Sequence, residues 1–233
     1  MMVDFQDLEG LTTAHFADAC QQQGMNSRLA PQGLVPMVTG VHVTGRVLPV
    51  RHSGSVDIFI EVISQAEPGS VLVIDDNGRR DQACIGDLVA GEAKLAGLAG
   101  ILVWGCHRDT QETRALGLPV FSFGAFPSGP RTASERDPDA LTSARVGNLV
   151  VDAGDVVVAD DDGAIFLPAD KMREIAAAAR TIREREHQQA ELLAAGNPLF
   201  QQLRFAEYLN KHAADPSYTL RLHLQAIGRA IET

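Results

Sequence analysis

The chain has 233 residues (25.0 kDa), 45% hydrophobic and 21% charged, proportions of an ordinary globular protein that exclude collagen-like and intrinsically disordered classes. Thirty Asp+Glu against twenty Lys+Arg give a net charge of −10, with the acids spread along the chain, which disfavours a nucleic-acid partner. Cys20, Cys84 and Cys106 are odd in number and widely separated, without a C-x-x-C pair, and fit a reducing, cytoplasmic setting.

Met1–Gly10 carries no basic leader, and the longest weakly polar run, Leu95–Cys106, falls short of the roughly 18 residues a membrane span needs, so secretion and membrane insertion are not expected. A short helix is expected from Thr12 to about Gly24, where Ala14, Phe16, Ala17 and Cys20 follow a Thr-Thr start. Gly40–Val50 reads as β-structure bent at Gly45, and Val56–Gln65 as a short helix. A strand at Val71–Asp75, a helix at Asp87–Leu98, a strand at Gly100–Cys106, a helix at Asp109–Leu116 and a strand at Pro119–Phe123 make a β-α-β-α-β alternation. A polar loop follows Ser128, a hairpin spans Asn148–Leu167, and the core ends near Pro168. Pro68–Gly78 and Ala153–Gly163 share the pattern G-x-V-x-V-x-D-D-x-G, which a strand followed by a turn explains without a duplicated domain. Asp170 opens a long helix to Ala195, stopped by Gly196-Asn197-Pro198. Helical segments at Leu199–His212 and Thr219–Ile231 have apolar faces on a tail too small for its own core, which predicts packing on the main domain or another subunit and hence an oligomer.

The densest chemistry lies between Ile85 and Glu112. Gly86 and Asp87 open a helix, so the backbone N–H groups of Asp87, Leu88 and Val89 are free to meet a carboxylate. The following strand delivers His107, Arg108 and Asp109 to its end, beside that loop. Plainer roles exist for each: Asp87 as a helix N-cap, Arg108 with Asp109 as a solvated surface pair, and Glu112 as a first-turn acid favoured by the helix dipole. His107 has no assigned role. His107-Arg108-Asp109 matches the kinase catalytic-loop triplet, but Arg114 stands where that motif needs Asn. Asp160-Asp161-Asp162-Gly163 lacks the alternating ligands of a calcium loop, and no nucleotide-binding motif occurs.

Through PGSVLVIDDNG, CIGDLVAGEAKLAGLAGILVWGCHRD and GLPVFSFGA, the chain from about Leu11 to Gly196 resembles the regulator-of-ribonuclease-activity-A-like (RraA-like) family, which includes the class II 4-hydroxy-4-methyl-2-oxoglutarate / 4-carboxy-4-hydroxy-2-oxoadipate aldolases. Gly86-Asp87, Arg108-Asp109 and Glu112 supply the elements of the aldolase branch at its spacing. The resemblance implies an α/β, three-layer β/β/α swivelling-domain fold over residues 1–168, with a C-terminal helical extension at 169–233, assembled as a homotrimer or homohexamer. It also implies action on a small-molecule 2-oxo acid, namely cleavage of a 4-hydroxy-2-oxo acid to pyruvate and a second oxo acid with oxaloacetate decarboxylation beside it, supported by Mg2+ or Mn2+. On that basis Asp109 would be the direct metal ligand, with Glu112 behind it. Arg108 would contact the oxygen that becomes the enolate, and Gly86, Asp87, Leu88 and Val89 would hold the pyruvyl carboxylate. Asp87 would relay the 4-hydroxyl proton, and Glu186, or Glu184, would reach a neighbouring subunit's site; a helix-surface pairing of that acid with Arg183 or Arg185 is the plainer reading. Arg131 or Arg136 could recognise a second carboxylate. The alternatives are a non-catalytic regulator that binds an RNA-degradation enzyme and a lyase for another 2-oxo acid or sugar acid. The chain departs from the family after Gly196, where Asn197-Pro198-Leu199-Phe200 begins the added helices.

Overall fold

A computed structural model describes residues 8–228. The chain forms two compact units, 8–14 with Ser27–Arg173 and His15–Asn26 with 174–228. Helix α1 (Thr13–Gln22) leaves the first and runs through the second. The first unit continues with β1 (Arg28–Leu29), β2 (Val35–Pro36), β3 (Val43–Arg51), α2 (Asp57–Ser64), β4 (Val71–Asp75), β5 (Ala83–Ile85), α3 (Asp87–Leu95), β6 (Gly100–Trp104), β7 (Cys106–His107), α4 (Thr110–Leu116) and β8 (Val120–Ser122). Two hairpins close it, β9 (Ser143–Val146) with β10 (Leu149–Asp152), and β11 (Asp155–Asp160) with β12 (Gly163–Pro168).

Eight strands form one mixed sheet in the order β1-β12-β11-β3-β4-β6-β8-β2. Strands β3, β4, β6 and β8 run parallel at its centre, and the remaining pairings are antiparallel. The sequences VLVID and GILVW are near-continuous apolar runs because both faces of β4 and β6 are covered. On one face Leu72, Ile74, Ile101 and Val103 join Ile58, Phe59 and Val62 of α2 and Val89, Ala90 and Ala93 of α3. On the other, Val71, Val73 and Leu102 join Val146, Val151, Val157 and Phe166 of the two hairpins, so the sheet curls toward that side. The alternation of faces along each strand follows from the period of two in side-chain direction.

β3 runs unbroken through Gly45, from Val43 to Arg51. The glycine there is needed for close approach, since a Cβ would lie 2.3 Å from the Gly69 carbonyl oxygen. The two strand-turn sequences occupy different places, β4 as a central parallel strand and β11 as one arm of an antiparallel hairpin, in keeping with shared local structure rather than a duplicated domain. The expected single hairpin at Asn148–Leu167 is two hairpins, because the turn at Ala153-Gly154 separates β10 from β11.

The second unit contains most of α1 and α5 (Met172–Ala194), then α6 (Leu199–Gln202), α7 (Phe205–Ala214) and α8 (Leu220–Ala226). The expected helix Leu199–His212 is broken at Arg204, whose φ of 48° interrupts the hydrogen-bond ladder. Two of its polar side chains tie to backbone: His223 Nε2 lies 2.9 Å from the Leu203 carbonyl oxygen, and the Gln202 amide N–H group donates to the carbonyls of Asn197 and Gln189. Residues 229–231 of the expected last helix, and most of Met1–Gly10, lie outside the described residues. No helix among the described residues is long and apolar enough to cross a membrane.

Gly45→Ala drives a methyl group into the Gly69 carbonyl, and overpacking of that kind costs about 1–3 kcal/mol. The expected result is a lower urea midpoint with an unchanged slope of the unfolding curve.

Candidate active site

Parallel pairing of β5 with β7 sets Ala83 opposite Cys106 and Ile85 opposite His107, which brings the two following turns together. The Arg108 N–H donates to the Ile85 carbonyl at 3.0 Å. Gly86, extended at φ −140°, precedes α3, and Asp109 precedes α4 in the left-handed region at φ 53°. A Cβ on Gly86 would sit 2.2 Å from Asp109 Oδ2 and 3.3 Å from Arg108 Cγ, so only glycine leaves room for that carboxylate. Left-handed geometry disfavours most side chains but is tolerated by Asp. The Asp109 carboxylate is thereby held beside the N-terminus of a nine-residue helix, whose dipole favours negative charge.

Asp87 is the first residue of α3 rather than its cap; that position belongs to Gly86. Its Oδ1 accepts from the Leu88 N–H at 2.9 Å, so of the three amides expected to face a ligand one is already occupied. Arg108 Nε stands 3.4 Å from Asp109 Oδ2, with the two side chains 49% and 40% exposed. An ion pair this open contributes at most about 1 kcal/mol, so the guanidinium fork is free to turn to an incoming anion at little cost. Ser128–Pro130 borders the fork: the Ala83 N–H donates to the Ser128 carbonyl at 2.8 Å, and a Cβ on Gly129 would lie 3.1 Å from Arg108 Nη1. In sequence this segment is marked only as the start of a polar loop.

Glu112 is exposed in the first turn of α4. His107, unassigned from sequence, is buried, with Nδ1 2.7 Å from Ser122 Oγ and Nε2 3.2 Å from Thr110 Oγ1, so it ties β8 to the start of α4. Glu186 lies in the second unit, where its Oε2 is 3.1 Å from His15 Nε2; neighbouring Glu184 is exposed. Arg136 pairs with Glu61 at 2.6 Å, an ion pair about as open as that of Arg108 with Asp109.

Asp75, the last residue of the expected strand, and Asp76 after it are both buried; the Asn-Gly turn that follows is Asn77-Gly78, with φ of 57° and 64°. Asp75 accepts from the Arg145 and Asn77 N–H groups. Asp76 meets His52, and the two come close enough to Cys84 for one potential ligand atom from each to lie within 4.8 Å of the others. The D-D pair at a strand end was visible, but its partners come from other strands.

An α/β unit with a central parallel sheet and a carboxylate–guanidinium pair at a strand end now has relatives to set beside it. The RraA-like family model (Aldolase/RraA) matches residues 13–166, and the chain belongs to that family. Among curated proteins, it is 27% identical over 203 residues to Protein DlpA of Legionella pneumophila, covering 84% of this chain and 32% of DlpA. It is 33% identical over 116 residues to a Halalkalibacterium halodurans protein named "Putative 4-hydroxy-4-methyl-2-oxoglutarate aldolase", covering 50% of this chain and 54% of the relative. The chain thus spans about a third and about half of these two relatives. Among solved structures, an uncharacterized protein from Pseudomonas syringae superposes with a TM-score of 0.75 at 25% identity, covering 84% of this chain and 94% of that one. Streptomyces coelicolor RraAS2, described as an unusual member of the RNase ES inhibitor RraA protein family, gives 0.68 at 27% identity, covering 83% and 96%.

Burial, with the charge of Arg114 adding, pushes His107 below its ordinary value near 6.5. The unfolded chain therefore binds the proton more readily, and this group's contribution to stability is lost as the pH falls through 6.5 toward the folded value. His107→Gln is expected to reduce the fall in urea midpoint just below pH 6.5, measured against the native chain.

Proposed function

We propose that the chain is a divalent-metal-dependent carbon–carbon lyase that cleaves a 4-hydroxy-2-oxo acid to pyruvate and a second oxo acid, with oxaloacetate decarboxylation through the same pyruvate enolate. The observation that carries this reading is the seating of the Asp109 carboxylate against Gly86, with Arg108 beside it and the α3 amides opening onto the same turn. The donor set suits a hard ion such as Mg2+ or Mn2+, which Asp109 would hold as the direct protein ligand with Glu112 in support. When bound, such an ion supplies Lewis acidity toward the 2-oxo acid.

The chain's own groups supply the rest. The amides of Asp87 and Val89 bind the pyruvyl carboxylate at the helix N-terminus, with Gly86 giving the close approach. Asp87 takes the 4-hydroxyl proton through water as the C3–C4 bond breaks and its electron pair passes to the pyruvyl fragment. Arg108 neutralises the negative charge that develops on the 2-oxo oxygen, and a proton returned to C3 completes pyruvate. In this reading the first unit is the three-layer β/β/α swivelling fold of the family, the chain works as a cytoplasmic homotrimer or homohexamer, and Glu186 of one copy approaches the site of the next.

A second reading, a non-catalytic regulator that binds an RNA-degradation enzyme, draws support from the likeness to RraAS2. Pyruvate release from 4-hydroxy-4-methyl-2-oxoglutarate and from oxaloacetate, with Mg2+ or Mn2+ and again with EDTA, separates the two. Metal-dependent release abolished by EDTA is expected; no release from the folded, metal-supplied protein would sink the lyase reading. Asp109→Asn is expected to lose metal-dependent turnover. Arg108→Ala is expected to lower kcat by roughly 10²–10³ with a smaller change in KM, because its strongest contact forms as charge develops.

A further inference from the structure

One residue beyond the paired row Arg51, Asp75 and Trp104, the parallel strands β3, β4 and β6 are followed by His52, Asp76 and Gly105. Gly105 makes the space: a Cβ there would lie 2.9 Å from the Asp76 Cβ. His52 Nδ1 stands 2.8 Å from Asp76 Oδ1, and the His52 N–H donates to the Asp75 carbonyl at 2.9 Å, so both side chains are fixed. Cys84 enters from β5, and all three residues are buried.

One atom of this cluster is unsatisfied. Asp76 Oδ2 is buried and has no hydrogen-bond partner among the described residues, although Asp76 is only 1% exposed. A buried carboxylate oxygen without a donor is costly, and such an exception calls for a bound group or a special role. The ligand atoms of a tetrahedral zinc site stand roughly 3–4 Å apart, given metal–ligand bonds of about 2.0–2.3 Å. Here the three candidate atoms lie within 4.8 Å of one another, so small side-chain adjustments suffice. The Gln82 amide, 3.5 Å from Asp76 Oδ1, is positioned to turn its oxygen inward as a fourth donor.

We infer that His52, Asp76 and Cys84 form a closed site for one zinc-class divalent cation. Nitrogen, oxygen and sulfur together select such a borderline ion over Mg2+, which takes oxygen ligands. Binding forms a metal–sulfur bond and releases the Cys84 thiol proton to solvent; without a cation, burial and the Asp76 charge push that thiol well above its ordinary range and keep it inert. Cys84 lies on β5, two residues before Gly86, so the ion fixes the strand that leads into the candidate active-site turn. This site is independent of the lyase reading, which uses Asp109 and a harder ion.

The test uses the full chain, stripped with a chelator and then loaded with Zn2+ or Co2+. Expected are one equivalent of zinc retained through gel filtration and measured by mass spectrometry, a thiolate-to-cobalt charge-transfer band in the near ultraviolet, and a rise in Tm on zinc addition. Cys84→Ser and Asp76→Asn are each expected to weaken zinc binding at least 10-fold, and Cys84→Ser to remove the band. Cys106→Ser and Asp109→Asn are expected to keep both. Failure of the folded wild-type chain to retain zinc would overturn the site, as would survival of the cobalt band in Cys84→Ser. Those results are read without any turnover assay, so they stand apart from the outcome of the pyruvate measurements.

Discussion

Strands β3, β4 and β6 have neighbours on both edges, and β4 has every side chain buried. Backbone groups so placed must pair with one another and side chains so placed must be apolar, which leaves the residues past the strand ends as the first positions open to chemistry. The consequence is visible row by row: Val50, Ile74 and Val103 are buried apolar residues, whereas His52, Asp76 and the short β5–β7 pair stand where the parallel sheet ends. In open α/β sheets this is the end at which ligands bind, and both candidate groups described above occupy it.

Two glycines then decide what fits there. Gly86 admits the Asp109 carboxylate, and Gly105 admits Asp76. In each case the absent Cβ creates a place for an acid beside the backbone of a neighbouring strand or turn. The two acids differ in surroundings: Asp109 is 40% exposed beside an equally open guanidinium, whereas Asp76 is sealed beside a histidine and a thiol. Solvent access and a charged neighbour suit exchange of a small anionic ligand; sealing and a sulfur donor suit retention of an ion.

The parallel core was legible because its periodicity is local. VLVID and GILVW declare strands covered on both faces, and the predicted Val71–Asp75 coincides with β4. The alternation through β8 was readable for the same reason. The close approach at Gly45 was not legible, because the atom that demands a glycine there, the Gly69 carbonyl oxygen, belongs to another strand's lead-in. The break at Arg204 was hidden because arginine is a good helix former and carries no stop signal. At the candidate active site, Gly86, Asp87, Arg108 and Asp109 were singled out by their positions at element ends; their mutual distances were not, since these come from the β5–β7 pairing of three and two residues. The His52–Asp76–Cys84 group was invisible for a stronger reason: its members come from the ends of β3 and β4 and from β5, with no fixed spacing, and its aspartate occupied a sequence that reads equally well as a turn.

All three thiols are buried: Cys20 in the helical unit, Cys84 and Cys106 in the sheet unit. Burial also raises each of them above the ordinary thiol value, so the native fold suppresses both access and thiolate formation. Alkylation by a soluble reagent must then wait for the surrounding structure to open, and its rate becomes a clock for that opening. Because the cysteines are divided between the units, mass-resolved labelling times the two clocks separately within one molecule. The same residues that look inert in the folded state thus supply a built-in chronometer of how independently the sheet and the helices breathe.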